Sequence, residues 1–423
     1  MSRPQHFRRF RHARCWVPED LSFITDIGDE EPAAAGGMQP GDIEAIWARA
    51  TALFRRGLHP VVSLCLRRQG RVVLNRTLGF SHGCGPDAPD GWQGRTIATN
   101  QTPLCIFSAS KAITAMVIHL LDEQGLLHID DRVVEYWPEF GQNGKTWVTL
   151  RHVLMHRAGF PSTGESEDVE MLCRWDDIVQ ALAEGGLEST PGHKLAYHAL
   201  TGGFVLGEVV RRVTGKTVRE VLRDEILQPL GIERLNYGVP PEDVPLVAEN
   251  HFTGIPVFPP FTGIARFVLG MSFERASELS NSPAFLTSIV PSGNIIGTAE
   301  ELGRFFQMLL NGGEYGGTRV LQTRTINRAV QRTSFQELDL SLLLPMRHGL
   351  GFMLGSRLVS PFGPNTPAAF GHIGLMNIHC WADRWRDTSV ALITTGKPLV
   401  SDHLVPLWQL LTTIGARTPR VSA

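Results

Sequence analysis

The chain has 423 residues, of which 43% are hydrophobic and 19% are charged, and its formal net charge is −2 at pH 7. These values are typical of a globular protein large enough for two domains, and they give no reason to expect nucleic acid or an anionic membrane as a partner. The six cysteines include no CxxC pair, so neither a disulfide framework nor a structural zinc site is expected. We find no secretory signal, no apolar run of about 18 residues and no cofactor motif, and we therefore expect a cytoplasmic protein without a membrane span or cofactor.

Residues 1–40 are predicted to form a flexible basic leader. Arginines are frequent near its start, and it ends in the stretch 31–37, which consists of Glu, Pro, Ala and Gly. A helix is predicted over residues 41–56, because apolar residues repeat there at helical spacing on one face.

Two short β-rich runs, 61–68 and 71–78, are separated by Gln69-Gly70, which indicates a hairpin. The next residues, Gly79-Phe80-Ser81-His82-Gly83, match G-x-S-x-G, the pattern of a nucleophile elbow. An elbow requires a strand, a sharp turn and then a helix. The Gly- and Pro-rich residues 84–91 cannot start a helix, so we interpret Ser81 as part of a turn after the hairpin.

The most informative pattern is Ser108 placed three residues before Lys111 at the start of an amphipathic helix. Apolar residues recur there at i, i+3, i+4, i+7 and i+8 between Ile113 and Leu121, and Gly125 is placed to end the helix. The spacing puts a hydroxyl and an amine on one face, one turn apart. A lysine near the core loses its charge readily and can take the hydroxyl proton. The pair therefore indicates acyl transfer through a covalent seryl intermediate.

The remaining elements predict one α/β core interrupted by a mainly helical insertion. Helices are predicted at 176–184, 201–213, 217–227, after the capping box at 298–301, and at 401–414, and strands at 378–382 and 389–394. The predicted α/β domain is discontinuous and comprises residues 41–111 and 291–416. The predicted helical domain spans residues 112–290.

Within that helical domain, the segment 238–290 is rich in Pro and Phe and has weak periodicity. Such a long, apolar and irregular segment is either a lid or pocket wall, or an insertion wrapped on the surface. The sequence does not separate these two alternatives.

Six segments carry a family resemblance: Ser108 to Lys111, Leu150 to Pro161 (LRHVLMHRAGFP), Tyr197-His198-Ala199 with Gly202 to Gly207, Pro229 to Ile232 (PLGI), Ser292 to Leu302, and Gly371 to Gly374 (GHIG). In this order they are similar to motifs of the serine β-lactamase-related superfamily, specifically class C β-lactamase-like esterases and D-alanyl carboxypeptidase relatives. The resemblance covers about residues 60–395. It implies an α/β (α+β) fold in which an antiparallel β-sheet is flanked by N- and C-terminal helices and carries the helical insertion.

The resemblance also implies roles for individual residues. Ser108 would be the nucleophile, Lys111 its proton partner, and Tyr197 a second acid–base group whose pKa a cationic Lys111 would lower. His372 and Gly374 would lie on a strand edge facing the substrate. The backbone N–H groups of Ser108 and Leu375 would form the oxyanion hole.

Two departures from the family pattern favour an esterase. Ala199 stands where the family has Asn or Ser, and His372 stands where it has the Lys of Lys-Thr-Gly, so recognition of a β-lactam or D-Ala-D-Ala is weakened. The favoured function is hydrolysis of a small-molecule carboxylic ester with a short to medium acyl chain, for which the segment 238–290 would supply an acyl pocket. β-Lactamase or D-alanyl-D-alanine carboxypeptidase activity, acyl transfer, and a non-catalytic binding role stay open, as does the oligomeric state.

Three other patterns receive structural interpretations. His156 is expected to make structural hydrogen bonds near the site. His198 either touches substrate or faces solvent. The stretch Thr394-Thr395-Gly396-Lys397 contains the residues of Lys-Thr-Gly in the wrong order and is interpreted as a strand end and turn.

Overall fold

The computed structural model describes residues 12–160, 162, 169–259, 262–263, 266, 269–375 and 377–421. The strands are β1 (Thr25–Ile27), β2 (Val61–Arg68), β3 (Arg71–His82), β4 (Thr96–Ile97), β5 (Leu104–Cys105), β6 (Asn236–Tyr237), β7 (Ile295–Gly297), β8 (Glu314–Tyr315), β9 (Thr318–Arg319), β10 (Glu337–Asp339), β11 (Leu344–Met346), β12 (Met353–Leu354), β13 (Ala369–Gly374), β14 (Ile378–Asp383) and β15 (Thr388–Thr394). The α-helices are α1 (Pro40–Phe54), α2 (Ser110–Glu123), α3 (Val133–Tyr136), α4 (Leu150–Leu154), α5 (Trp175–Glu184), α6 (Thr201–Thr214), α7 (Val218–Leu222), α8 (Phe273–Leu279), α9 (Pro283–Thr287), α10 (Ala299–Leu310), α11 (Thr323–Ala329) and α12 (Leu404–Arg417).

An eight-stranded antiparallel sheet forms the centre of the fold. Its order is β1-β3-β2-β15-β14-β13-β12, and β4 pairs with β3 outside this path. The β2–β3 hairpin turns at Gln69 and Gly70, whose φ angles are 50° and 78°. Positive φ at both central residues is what a two-residue turn between twisted strands requires. The predicted hairpin is therefore present.

Helices cover both faces of this sheet. Side chains alternate along β2, so that Val62 and Leu64 pack with α1 and α12 on one face. On the other face, Val61 and Cys65 pack with α2 and α10 in a cluster that continues into the helical insertion. The predicted antiparallel sheet with flanking N- and C-terminal helices and a mainly helical insertion is confirmed.

The helix and strand boundaries differ from the predictions mainly at the ends. The strand after the hairpin turn, β3, extends to His82, four residues beyond its predicted end, and the last helix begins at Leu404 instead of residue 401. The predicted helix over 217–227 is α7 followed by a π-helical turn, Arg223–Leu227. The division into two domains stays a prediction. Within the described part of the chain, no helix combines the length and apolar character needed to cross a membrane.

The prediction of a flexible leader over residues 1–40 is wrong for residues 12–40. Strand β1 pairs with β3, with Thr25 opposite Leu78, and Ile24 is fully buried. The backbone of this segment adds a strand to the sheet edge, and such long-range pairing leaves little trace in local composition. Residues 1–11 of the predicted leader lie outside the described residues.

Candidate active site

Ser108 lies in a single 3₁₀ turn, Phe107–Ala109, that runs directly into α2. Phe107, immediately before it, has a φ angle of 47°, a left-handed conformation that is costly for a bulky residue. Ser110 holds the turn in place, because its Oγ donates to the Phe107 carbonyl (2.5 Å) and accepts from the Ile295 N–H (3.1 Å). The nucleophile candidate is therefore presented by a strained but well-anchored turn.

Lys111 points back at this turn from the first turn of α2. Its Nζ lies 3.0 Å from Ser108 Oγ and 3.1 Å from the Ser292 carbonyl oxygen. The side chain is 8% exposed, and burial lowers its pKa well below the usual value for lysine. Among the described residues no carboxylate pairs with it, so no counter-charge opposes this lowering of the pKa, which favours the uncharged amine. An uncharged amine at this distance can accept the hydroxyl proton of Ser108.

Tyr197 completes the predicted trio. Lys111 Nζ lies 4.8 Å from the centre of its ring, and its hydroxyl shares a hydrogen bond with the Ser108 side chain. Burial raises the pKa of Tyr197 above its ordinary value. Lys111 is not among the groups that shift the pKa of Tyr197, so the lowering of this pKa by a cationic Lys111 stays a prediction. The phenol therefore keeps its proton.

Buried polar groups contact Tyr197 and hold it in position. The Tyr197 N–H donates to Asp339 Oδ1 (3.1 Å), and the His156 ring packs on the Tyr197 ring with centroids 4.6 Å apart. His156 Nδ1 also accepts from the His198 N–H (3.2 Å), which is the expected structural hydrogen bonding. Burial holds the pKa of His156 well below its usual value, with the charges of neighbouring His348 and others contributing.

His198 does not take the solvent-facing position that was one of its two alternatives. It is fully buried, and its ring packs edge-on against Phe160. Together with Lys111 and His156, it lines a small cavity whose lining does not include Ser108. Burial lowers its pKa to about 4, so it adds no positive charge to the site.

The edge of β13 lies against the nucleophile turn. A Cβ at Gly374 would sit 2.1 Å from the Ile106 carbonyl oxygen, so only glycine allows this approach. The contact brings Leu375 to the same cavity that Ser108 lines. His372 is buried on this strand, its Nδ1 lies 2.6 Å from the Ile373 carbonyl oxygen, and burial lowers its pKa to about 3. An uncharged His372 cannot anchor a substrate carboxylate by charge.

A cavity of about 60 Å³ lies directly beside Ser108. Its walls include Leu172, Leu200, Met271, Leu279, Phe285 and Leu375, and none of its lining side chains is charged. Met271, Leu279 and Phe285 belong to the Pro- and Phe-rich segment 238–290. Of the two alternatives for that segment, the structure shows the pocket wall for these residues.

Ser81 lies elsewhere and does not form an elbow. Its Oγ donates to the Thr96 carbonyl (3.3 Å), β3 ends at His82, and irregular backbone without a helix follows over residues 83–95. The interpretation of Ser81 as part of a turn is wrong, because Ser81 lies inside β3 and the irregular backbone begins only at Gly83. The absence of a helix after the strand agrees with the rejection of an elbow.

Three contacts of the site were not identified from the sequence. Asp339 and the Ser292 carbonyl come from irregular or short-strand regions that carry no periodic signal. Lys397 lies in the predicted turn after β15, but its Nζ also sits 4.6 Å from the centre of the Phe107 ring. Burial lowers the pKa of Lys397 to about 7. The sequence signal that was available for buried lysines is the apolar residues around Lys111 and Lys397.

Comparisons with known proteins agree with this arrangement. Residues 50–412 match the family model described as Beta-lactamase. Esterase/beta-lactamase LipL of Mycobacterium tuberculosis is 32% identical over 346 residues, which cover 75% of this chain and 76% of LipL. A penicillin-binding protein homologue from Caulobacter crescentus has a TM-score of 0.73 at 27% identity, covering 90% of this chain and 99% of that structure. A family VIII carboxylesterase has a TM-score of 0.72 at 26% identity, covering 89% and 98%.

Proposed function

Since the chain belongs to the Beta-lactamase family, as its motifs predicted, and is a serine hydrolase of that fold, we propose that it hydrolyses carboxylic esters of short to medium apolar acids through an acyl-enzyme on Ser108. The observation that carries this proposal is the uncharged, apolar cavity beside a serine whose Oγ lies 3.0 Å from Lys111 Nζ. The names of LipL and of the family VIII carboxylesterase support ester substrates.

In the proposed mechanism, Ser108 Oγ attacks the ester carbonyl while the neutral Lys111 amine takes the hydroxyl proton. In this proposal the backbone N–H groups of Ser108 and Leu375 stabilise the oxyanion. The close contact of Gly374 with the Ile106 carbonyl, and the cavity that Ser108 and Leu375 both line, support this assignment. Tyr197, as a protonated phenol hydrogen-bonded to Ser108, donates its proton to the alkoxide oxygen of the leaving alcohol. The Lys111 ammonium then reprotonates the phenolate. A water molecule then attacks the acyl-enzyme by the reverse proton path.

The chemistry of the cavity supports the acyl preference. Aliphatic walls favour an apolar acyl chain, and the uncharged walls offer nothing to a charged one. β-Lactams and D-Ala-D-Ala carry a carboxylate, for which His372, with a pKa of about 3, supplies no positive charge.

The test is hydrolysis of p-nitrophenyl butyrate by the wild type and by Ser108→Ala, with Ser81→Ala as the matched control. Both serines lie in motifs that are typical of nucleophiles; Ser81 is buried and Ser108 is half-buried. We expect Ser108→Ala to lower kcat/KM by at least about 1,000-fold and Ser81→Ala to leave it within about threefold. The proposal is wrong if Ser108→Ala keeps the wild-type rate, or if mass spectrometry places the trapped acyl group on another residue.

The alternatives separate in the same set of assays. The name of LipL includes β-lactamase, so nitrocefin is the probe for that activity. We expect nitrocefin turnover at least about 100-fold below ester turnover, because the carboxylate lacks a cationic anchor. Ester products formed with added alcohol would show acyl transfer, and failure of a fluorophosphonate to label Ser108 would show a non-catalytic member of the fold.

A further inference from the structure

Three side chains with metal-binding atoms, none of which lines the cavity beside Ser108, meet at the end of β3. They are Cys84, in the loop that follows β3, and Glu249 and His251, which come from the helical insertion. The Cys84 sulfur, a Glu249 carboxylate oxygen and a His251 ring nitrogen all lie within 4.8 Å of one another. Thiolate, imidazole and carboxylate are the three ligand types that zinc takes in proteins.

The spacing of these atoms suits a tetrahedral ion. His251 Nε2 lies 3.4 Å from Glu249 Oε2. Zinc bonds of about 2.0–2.3 Å place neighbouring ligand atoms roughly 3.3–3.7 Å apart, so this nitrogen and this oxygen already have a suitable separation. The sulfur lies within 4.8 Å of a carboxylate oxygen and of a ring nitrogen. His251 Nε2 is buried and makes no hydrogen bond of acceptable geometry. A buried ring nitrogen without a hydrogen bond is a cost that a coordinated ion removes.

The backbone holds the ligands in position. His251 donates its N–H to the Thr395 carbonyl (3.0 Å) and accepts from the Lys397 N–H (2.8 Å), while the Glu249 N–H donates to the Ser81 carbonyl (2.9 Å). The His251 ring also lies against Gly85, where a Cβ would come within 2.9 Å of it. The main chain of Glu249 and His251 is therefore held at the ends of β3 and β15, which lowers the entropy cost of ordering these two ligands around an ion.

Access and charge are also suitable. Cys84 is 1% exposed, whereas the Glu249 side chain reaches solvent, so an ion can arrive on the carboxylate side. A thiolate and a carboxylate cancel the two charges of the ion. Arg95 is a fixed positive charge that acts on the Cys84 thiol, and its guanidinium lies over the Trp16 and Phe80 rings at 5.2 Å and 5.4 Å from their centres.

We propose that Cys84, Glu249 and His251 form a zinc-binding site, with water as the fourth ligand, that ties the loop 83–95 to the segment 247–254. On binding, the Cys84 thiol releases its proton to solvent, its hydrogen bond to the Phe80 carbonyl breaks, and a sulfur–zinc bond forms without a change in oxidation state. The site is structural and is separate from the ester chemistry, so it holds or fails independently of the proposed function.

The experiment uses the full chain after removal of metal by a chelator and dialysis. We expect one Zn²⁺ per chain with a Kd in the micromolar range or tighter, and a higher Tm at saturating zinc, because an ion that binds only the folded state stabilises it. Co²⁺ in place of zinc should give a thiolate-to-cobalt charge-transfer band in the near ultraviolet. That band reports the sulfur–metal bond directly.

Variants then assign the site. His251→Gln, Glu249→Gln and Cys84→Ser should each weaken zinc binding by about 100-fold or more, and Cys84→Ser should remove the cobalt band. The matched controls are Cys173→Ser and His128→Gln, since His128 also lies beside a carboxylate, with Nδ1 4.0 Å from Asp130, but has no thiol partner. Both controls should bind zinc as the wild type does. The ester hydrolysis of all five variants should stay within about twofold of wild type.

Absence of saturable zinc binding, or binding that His251→Gln leaves unchanged, would overturn the proposal. If Cys84→Ser fails to fold, the two other ligand variants decide, because Glu249 and His251 are partly exposed and tolerate substitution more readily.

Discussion

Burial sets the chemistry of Lys111. Its amine has two oxygen neighbours, the Ser108 hydroxyl and the Ser292 carbonyl, and neither carries a charge that would hold its proton. Removal from water then lowers the lysine pKa, while the same removal raises the pKa of the Tyr197 phenol. The two groups are therefore separated into a base and an acid by their environment alone.

The pH dependence of the reaction should follow Lys111. As the pH falls through its lowered pKa, the amine takes a proton from solvent and can no longer accept one from Ser108, so kcat/KM should fall on the acid side. Lys111→Arg, which stays protonated, should lower kcat/KM by about 10²–10⁴-fold at every pH. A pH profile of p-nitrophenyl butyrate hydrolysis measures both effects.

The comparison variant for that profile is Tyr197→Phe. Its rate should be lower, but its acid limb should stay where the wild type has it, since the limb belongs to the lysine. An acid limb that disappears in Tyr197→Phe would assign it to the phenol instead.

The same buried amine should cost stability. Because the pKa of Lys111 is lower in the folded chain than in the unfolded chain, the unfolded chain binds more protons between the two values, and the free energy of unfolding falls as the pH falls through that window. Lys111→Met should therefore raise Tm by about 2–4 °C at pH 7, with a smaller gain near pH 10. Thermal unfolding at the two pH values measures the gain. A Tm of Lys111→Met equal to or below that of the wild type at pH 7 would contradict this account.

At the scale of elements, the site depends on how closely β13 approaches the turn before α2. The contact between Gly374 and the Ile106 carbonyl leaves no room for a side chain. Gly374→Ala should push the strand edge away from Ser108 and lower kcat/KM by about 100-fold, since misplacement of about 1 Å is enough for such a loss. Gly41→Ala in α1, where a Cβ meets no atom within 4 Å, is the matched control and should leave the rate unchanged.

The loop and short helices that wall the cavity should set the acyl-chain preference. Met271 lines the cavity, and Met271→Ala should enlarge it and raise the ratio of octanoate to butyrate kcat/KM by about tenfold. Leu246→Ala, in the same segment but 52% exposed and outside the cavity lining, should leave the ratio unchanged. A change of equal size in this ratio in both variants would contradict the prediction, because it would show an effect of the whole segment and not of the cavity wall.

At the scale of the whole molecule, Arg68 joins three distant parts of the chain. Its guanidinium donates to the carbonyl oxygens of Gly36, Arg386 and Pro419 at 2.8, 2.9 and 3.0 Å. Arg68→Met should lower the free energy of unfolding by about 3 kcal/mol, because it leaves the buried carbonyls of Gly36 and Arg386 without this donor, and should leave kcat near the wild-type value. Urea unfolding measures the loss, and the exposed Arg71→Met should change it by less than about 0.5 kcal/mol.

The features predicted well from the sequence were those encoded locally. The helix after Ser108 and the hairpin at Gln69-Gly70 depend on periodicity and turn residues within a short window. The Ser108–Lys111 contact follows from the i, i+3 spacing, which keeps the two side chains on one face although Ser108 lies in a 3₁₀ turn before α2. Residues 12–40, Asp339 and the position of Lys397 under Phe107 were missed or misjudged, because each is defined by partners far away in the sequence.

The acceptor that holds the Lys111 amine is a main-chain oxygen of Ser292. No single amino-acid replacement deletes a peptide carbonyl. The Lys111 amine therefore keeps this hydrogen-bond partner in any Ser292 variant whose main chain is unchanged. Neighbouring side chains that line the acyl cavity can then vary without a change in the position of the Lys111 amine. A scaffold built in this way allows substrate range to diverge while the chemical step is preserved.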